Sequence, residues 1–478
     1  MNIKLIARYI GVALLFNAAF MFLSVIVSMI NGFDSSFSPL LLSCLITTTV
    51  GCFPLIFVRK KEDVGLKEGY AITFFSWVLS FVFGMLPYVL WGDPFTLPNA
   101  WFESVSGYTT TGSTILTDIE MLPKGLLFWR YSTHYIGGIG VMIFMLMVLP
   151  AVSAFTLRKI EISTLSKDNY KYKTKQTLKV IASMYLGITF LSATSLFLAG
   201  MPLFDAVGHS MTIVATCGFS NRNLSIAAYN SHAIEIIVTI FLYISSLHFG
   251  MTYALIVKRS MVLVKSPVFK YYTIVIVILS LLIALNLVST GVAPSWNEAL
   301  VDSSFQVVSV ITTTGLASTD TNMWPLFSIM LLVFAMNHGA CSGSTTGGLK
   351  ADRIWIFFYA LKRQLIKQLH PNAVVPVKIG NNMISSQMVI SSLIYIVTYI
   401  IVAFLGAIIL SWLGVDLVEA LSGSFASISN VGPGFGDCGG LGNFSDFPSL
   451  GKFVLTLEMF LGRLEIYVVL VIFQLFKR

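Results

Sequence analysis

"NAWFESVSGYTTTGST", residues 99–114, is too short to cross a bilayer, and its last third is a run of hydroxyl residues closed by Gly112. It lies inside a chain that is otherwise apolar. What surrounds this polar stretch, and whether it recurs, decides the fold.

The 478 residues are 56% hydrophobic and 11% charged, with a mean hydropathy of +0.83. That composition lies outside the range of a soluble globular domain and specifies an integral membrane protein. In lipid the backbone must satisfy its own hydrogen bonds, and apolar runs of about 20 residues without strict alternation specify helices, not a barrel. The fold class is therefore all-α. Windows of that length predict spans near 8–30, 37–58, 70–91, 125–150, 179–200, 232–257, 271–290, 324–360, 384–413 and 451–476. The first resembles a signal peptide, but its apolar run continues to Ile30 without a small-residue cleavage site, so it reads as an uncleaved helix. The window 324–360 is too long for one span and is interrupted by "NHGACSGSTTGGLK", 337–350, which predicts a broken helix.

The opening stretch has three relatives within the chain: "DAVGHSMTIVATCGFS" (205–220), "DSSFQVVSVITTTGLAS" (302–318) and "EALSGSFASISNVGPGFG" (419–436). Aligned on Gly112, Gly218, Gly315 and Gly432, they place Asn99, Asp205, Asp302 and Glu419 thirteen positions upstream, since 112 − 99 = 218 − 205 = 315 − 302 = 432 − 419 = 13. Each follows one span and precedes another. Four such copies in one orientation predict a pseudo-fourfold ring. The boundaries read as a two-helix extension (1–66) and four repeats, 67–165, 166–265, 266–378 and 379–478.

Charge orients the repeats. Lys4, Arg8, the segments 59–67, 158–179, 258–270 and 350–378, and the terminal Lys477 and Arg478 hold 25 of the 30 Lys and Arg. By the positive-inside rule these segments and both termini face the cytoplasm, and they mark topology, not a nucleic-acid surface. Most acidic residues map to the opposite side, where an acidic mouth would concentrate cations.

Each half-length segment begins with a residue suited to an N-cap, so it reads as a short helix entering from outside, its C-terminus at mid-membrane. Four such ends bring partial negative charge to one axis. The chain then returns as extended backbone, allowed at that depth where it lines water or protein, with glycine supplying unusual dihedrals. The carbonyls of Thr110, Thr111 and Gly112, of Thr216, Cys217 and Gly218, of Thr313, Thr314 and Gly315, and of Asn430, Val431 and Gly432 then replace the hydration shell of a cation. Carboxylates are absent from these turns, which favours a monovalent ion; physics alone leaves potassium and sodium open.

The break at 337–350 places Gly339, Gly343, Ser344, Thr345, Thr346, Gly347 and Gly348 below this ring as a candidate gate. It is no phosphate loop, because "GSTTGGLK" lacks the G-K-[ST] ending and follows no strand. Arg463, a cation inside the last span, reads as a functional residue that faces the pore and holds the loop by its carbonyls. Glu458 and Glu465 stand at poor helical spacing to pair with it. His248 and His338 read as packing or hydrogen-bonded residues. The five cysteines and six histidines form no zinc spacing. "GFGD", ending at Asp437, matches a membrane aspartyl protease signature but lacks the second carboxylate such catalysis needs, so the chain reads as no enzyme. Inverted repeats, the mark of an alternating-access carrier, are also missing.

With four such repeats after a two-helix prefix, "ESVSGYTTTGST", "VSVITTTGLASTD", "GSTTGGLK", "NVGPGFG" and "LGRLE" resemble the Trk/Ktr/HKT superfamily of potassium transporters, most closely its bacterial TrkH branch. The resemblance covers nearly the whole chain. It implies potassium uptake across the bacterial inner membrane, K+ bound at the four filter glycines, a gating loop at 337–350 and an arginine at 463 that assists gating. It also implies a homodimer with one pore per protomer, a cytoplasmic TrkA-like nucleotide-binding regulator, and no organic cofactor on this chain. In related plant carriers serine at the first filter glycine accompanies sodium transport, so Gly112 favours potassium; sodium- or proton-coupled symport is the alternative within the superfamily. Cys217 departs from the glycine that many relatives carry there.

Overall fold

The computed structural model describes residues 2–58, 65–153, 174–380 and 382–475. The chain opens with an antiparallel pair, α1 (Ile3–Ile30) and α2 (Phe37–Phe57). Their seam is close because Gly11 and Gly51 face one another: a Cβ on Gly11 would lie 2.6 Å from the Gly51 carbonyl oxygen. Asp34 closes the turn between them, accepting from Ser28 Oγ at 2.6 Å and, through its other oxygen, from the Gly125 amide at 3.0 Å. The prefix is thereby pinned to the first repeat.

The first repeat comprises α3 (Leu66–Gly84), α4 (Leu86–Trp91), the short α5 (Leu97–Tyr108) and α6 (Lys124–Ser153). The second has α7 (Thr174–Leu198), the short α8 (Leu203–Ala215), α9 (His232–Ser245), α10 (Phe249–Ile256) and the single turn α11 (Val262–Lys265). The third has α12 (Pro267–Ser289), the short α13 (Trp296–Ile311), α14 (Leu326–His338), α15 (Ala351–Leu369) and a two-residue hairpin, β1 (Lys378–Ile379) with β2 (Asn382–Met383). The fourth has α16 (Ser386–Trp412), the short α17 (Leu417–Ser429), α18 (Ser449–Arg463) and α19 (Ile466–Leu475).

Among the described residues six helices are long and apolar enough to cross a membrane, and α9 with α10 makes a seventh if the bent pair counts as one span. Their outer faces stay apolar, as with Ile274, Val277, Ile278, Leu281 and Leu285 of α12, while serines and threonines within helices bond back to a carbonyl four residues earlier, as Thr47 does to Ser43. That pattern suits a lipid surround, where no water meets a stray hydroxyl. The exit helices α6, α14 and α18 each start directly after a proline (Pro123, Pro325, Pro448), a residue whose missing N–H costs nothing at a helix start.

The repeats close into a ring. The exit helix of each packs against the short helix of the next: α6 on α8, α9 on α13, α14 on α17, and α18 back on α5.

Two predicted spans are corrected. The window 232–257 is not one helix; α9 and α10 meet at 107°. His248 caps α10, its Nδ1 accepting the Gly250 amide at 3.1 Å, and the Phe249 amide donates to the Gly343 carbonyl instead of continuing α9. The window 451–476 is also two helices, parted at Leu464–Glu465, where Glu465 has φ +63° and pairs with Arg353 at 2.9 Å. The predicted break of 337–350 falls on residues 339–350, between α14 and α15.

Candidate functional site

The four short helices end identically. In each, the residue two before the glycine adopts a left-handed conformation: Thr110 (φ +54°), Thr216 (+54°), Thr313 (+56°) and Asn430 (+58°). The amide of that residue donates to the carbonyl three back, Thr110 to Gly107, Thr216 to Ile213, Thr313 to Val310 and Asn430 to Ser427. The next amide reaches five back, Thr111 to Ser106, Cys217 to Thr212, Thr314 to Ser309 and Val431 to Ala426, at 2.9 to 3.1 Å. This pair of bonds is a Schellman motif, which uses up the amides that would otherwise extend the helix and turns the chain outward. The left-handed residue thus precedes the glycine, and the expectation that glycine supplies the unusual dihedrals holds for three of the four, since Gly218 does not have a positive φ.

Close approach is what all four glycines share. A Cβ on Gly112 would fall on the backbone of Gly218, one on Gly218 would lie 2.8 Å from the Thr314 oxygen, one on Gly315 would fall on the Val431 oxygen, and one on Gly432 on the Thr111 oxygen. The contacts run 1→2→3→4→1 around the ring. Each glycine lets the neighbouring strand come in.

Of the twelve carbonyls from 110–112, 216–218, 313–315 and 430–432, one accepts a hydrogen bond among the described residues: Gly432, from Ser113 Oγ at 2.9 Å. Buried backbone acceptors are almost always paired, so a concentration of unpaired ones demands an electropositive partner from outside the chain. Side chains stiffen the ring from behind. Ser106, Thr212 and Ser309 donate to the carbonyls of Ser113, Phe219 and Leu316, one residue beyond each glycine, at 2.6, 3.0 and 2.6 Å. Ala426 occupies that position in the fourth repeat, where Asn430 instead bridges to Thr111 Oγ1 at 3.0 Å and the Met459 carbonyl at 2.8 Å.

A fully buried ion pair couples repeats one and two. Arg130 meets Glu103 at 2.7 Å and donates to the Ser220 carbonyl at 3.0 Å, while Glu103 accepts from Thr114 Oγ1 at 3.0 Å and the Ile115 amide at 3.2 Å. The sequence reading placed Glu103 among the acids of the outer mouth and passed over Arg130; the one signal of a pair was an acid and a base inside apolar surroundings. Above the ring lies a cavity lined by Gly112, Gly218 and Gly315 together with Arg130, Arg222 and Asn223. The acidic mouth is therefore less open than charge counting implied: Glu103 is paired, and Asp205 accepts from Arg222 at 3.1 Å and Tyr229 at 2.7 Å.

The N-cap expectation is corrected too. The caps are Thr96, Pro202, Ser295 and Asp416, and Asn99, Asp205 and Glu419 are third residues of their helices. Asp302 lies deeper still, because α13 starts at Trp296. Prolines at 98 and 202 start α5 and α8 earlier than the polar residue would.

Beneath the ring the chain from 339 to 350 presses on the left-handed residues themselves. Thr216 Oγ1 lies 3.3 Å from Thr345 Oγ1, the Gly347 amide donates to Thr313 Oγ1 at 2.8 Å, and a Cβ on Gly347 would lie 2.8 Å from Asn430 Oδ1. Ser344 and Thr346 pair through their hydroxyls at 2.8 Å, and Gly339, Gly343 and Gly348 all have positive φ. Arg463, 3% exposed, donates to the carbonyls of Thr345 at 2.6 Å and Gly137 at 3.3 Å, and no carboxylate pairs with it among the described residues. Lys350, also buried, donates to the neighbouring Thr346 carbonyl, a contact the sequence reading missed because a lysine ending a loop looks solvated. His248 packs on Gly343, and His338 bonds Tyr271 at 2.9 Å. Among the described residues no cluster of His, Cys, Asp or Glu could hold a metal ion, and Cys217 is buried as a free thiol within the ring.

A family model described as TrkH, cation transport protein, matches residues 42–477. The Trk system potassium uptake protein TrkH of Salmonella typhimurium is 32% identical over 480 residues, covering 99% of both chains. The protein of the same name from Escherichia coli is 31% identical over 484 residues at the same coverage. A crystal structure of the potassium transporter TrkH from Vibrio parahaemolyticus superimposes with a TM-score of 0.91 at 29% identity, covering all of both chains.

Proposed function

The chain belongs to the TrkH family of cation transport proteins, transporters and not enzymes, and from that premise we propose that it takes up potassium through a channel-like pore in the bacterial inner membrane. The observation that carries this reading is the ring of backbone carbonyls, eleven of twelve without a donor among the described residues. Carbonyl dipoles in that number replace the hydration shell of a monovalent cation, and four helix C-termini add negative potential at the same point. Potassium as the cargo is supported by relatives whose names state potassium uptake.

The ion enters from the cavity above Gly112, sheds water, and is bound in turn by the carbonyls of the four strands. It then meets residues 339–350, which act as the gate. Arg463 repels the ion and holds the gate shut through Thr345, and Lys350 adds a second positive charge beside it. The working unit on this reading is a homodimer with a pore in each protomer, both termini cytoplasmic. A TrkA-like nucleotide-binding partner meets the basic cytoplasmic segments and moves the gate. Growth of a potassium-uptake-deficient bacterium at limiting K+ tests the proposal: expression of this chain with its cognate regulator restores growth, and failure to do so with the protein present in the membrane contradicts it.

A further inference from the structure

We infer that Glu458 is a proton-binding site: it stands in the fold as a neutral carboxylic acid that donates its proton to Ser424, so that the seating of the fourth short helix depends on a bound proton. The inference rests on hydrogen-bond geometry behind the filter and is independent of which ion passes.

Glu458 lies in α18, 3% exposed. Its Oε1 is 2.6 Å from Ser424 Oγ of α17, and its Oε2 has no hydrogen-bond partner among the described residues. Ser424 Oγ is also 2.6 Å from the Ala403 carbonyl of α16. A hydroxyl has one proton and a carbonyl can only accept. Two arrangements are open. Either Ser424 donates to Glu458 as a carboxylate and two lone pairs confront each other at Ala403, or Ser424 donates to Ala403 and Glu458 supplies the proton between itself and Ser424.

The first repeat decides between them. Ser104 stands eight residues before Gly112 as Ser424 stands before Gly432 (112 − 104 = 432 − 424 = 8), and it donates to the Phe81 carbonyl of α3 at 2.8 Å, with no carboxylate involved. In the first repeat the serine at this position ties the short helix to the carbonyl of its own entry helix; Ser210 of the second donates to Val207 of its own helix instead, and the third has Val307 there. With the Ser424 proton engaged in the same way, a 2.6 Å approach by Glu458 requires that the acid be the donor. An ionised Glu458 would also leave a charged oxygen, Oε2, without any donor in an apolar interior, whereas the neutral acid leaves only a weak acceptor there. Gly406 of α16 makes the room, since a Cβ at that position would overlap Oε1 and come within 2.8 Å of Ser424 Oγ.

Charged groups on the surrounding elements are engaged elsewhere. Glu103 of α5 holds Arg130, Glu465 before α19 holds Arg353, and Glu419 of α17 accepts the Asp437 amide at 3.3 Å. On α18 itself Lys452 donates to Asn99 and Ser445, and Arg463 to Thr345 and Gly137. Tyr399 of α16 donates to Asn337 Oδ1 at 3.4 Å. Loss of the proton would therefore place an uncompensated charge between α16, α17 and α18 and remove the bridge that seats α17.

The test compares the full chain with Glu458→Gln in lipid at neutral pH by infrared difference spectroscopy, with K+ flux from proteoliposomes followed across pH. The glutamine amide can donate to Ser424 as the neutral acid does. Expected is a protonated-carboxyl carbonyl band in the wild type that Glu458→Gln lacks, with the variant folding normally and its flux staying level at alkaline pH where wild-type flux changes. An unchanged band region overturns the inference, and so does a Glu458→Gln protein that fails to fold while Glu458→Asp folds. Absence of ion flux in every protein contradicts the pore reading alone, because the infrared band reports Glu458 directly.

Discussion

Arg463 Nη1 donates to the Thr345 carbonyl at 2.6 Å, and the same guanidinium reaches the Gly137 carbonyl of α6 at 3.3 Å. One buried cation thus ties the chain under the ring to the exit helix of the first repeat. Removing it deletes a charge-assisted hydrogen bond, worth about 1.5–3 kcal/mol, and, on the proposed gate, an electrostatic barrier. Arg463→Ala is expected to raise K+ flux severalfold in liposomes, and Arg463→Lys to fall between it and the wild type. Unchanged or lower flux through folded Arg463→Ala sinks the barrier role.

The ring glycines differ in what a methyl group would meet, which orders the effect of alanine at each. Gly112, Gly315 and Gly432 combine positive φ with a Cβ position on neighbouring backbone, whereas Gly218 has neither the positive φ nor a contact nearer than 2.8 Å. A side chain in the left-handed region alone costs about 1–2 kcal/mol. Gly218→Ala should keep the most K+ over Na+ discrimination of the four single variants in flux ratios. Equal losses at all four would contradict the close-approach account.

Breaking a buried ion pair by removing one partner costs about 3–5 kcal/mol, because the other charge is left uncompensated. Glu103→Gln strands Arg130 and loosens Thr114 and Ile115 on the outer side of the ring. The expected result is a lower melting temperature in detergent and a higher relative Na+ flux. A variant with wild-type selectivity and melting would show that the pair does not position the filter.

Asp34, in the turn between α1 and α2, sits below the ordinary carboxylate value. Burial works to raise it, but hydrogen bonds from Ser28 and Ser36 and from the Gly125 and Ser36 amides outweigh that. A depressed folded value means that the stabilisation is present above the unfolded value and is lost as pH falls through the folded one. Melting temperature should therefore drop on acidification more steeply in the wild type than in Asp34→Asn. Parallel curves would remove Asp34 from the account.

Much of this was legible from spacing. Apolar length located the helices, and four glycines in one register located the ring. The two missed breaks, at "SSLHF" (245–249) and "RLE" (463–465), lie in windows whose apolar average hides these few polar residues, and their causes are tertiary: His248 caps α10 while Phe249 bonds Gly343, and Glu465 turns to meet Arg353. Threonine in a left-handed turn contradicts its propensity, and the Schellman bonds of the folded helix end hold Thr110, Thr216 and Thr313 there. Free-looking acids at 103 and 205 proved to be paired with bases at 130 and 222, 27 and 17 residues on, that the folding of each repeat brings near. The hydroxyls at 106, 212 and 309 could have been found, because they stand six residues before their glycines, as 112 − 106 = 218 − 212 = 315 − 309 = 6.

The central claim, that four backbone strands closed on their glycines form a potassium filter, is tested most directly by ion flux from proteoliposomes under matched K+ and Na+ gradients, with and without Gly315→Ser. The account predicts steady K+ movement exceeding Na+ movement in the wild type, and loss of that preference in Gly315→Ser, whose side chain would strike the Val431 carbonyl. Movement of neither ion, or a preference that survives the substitution, would contradict it.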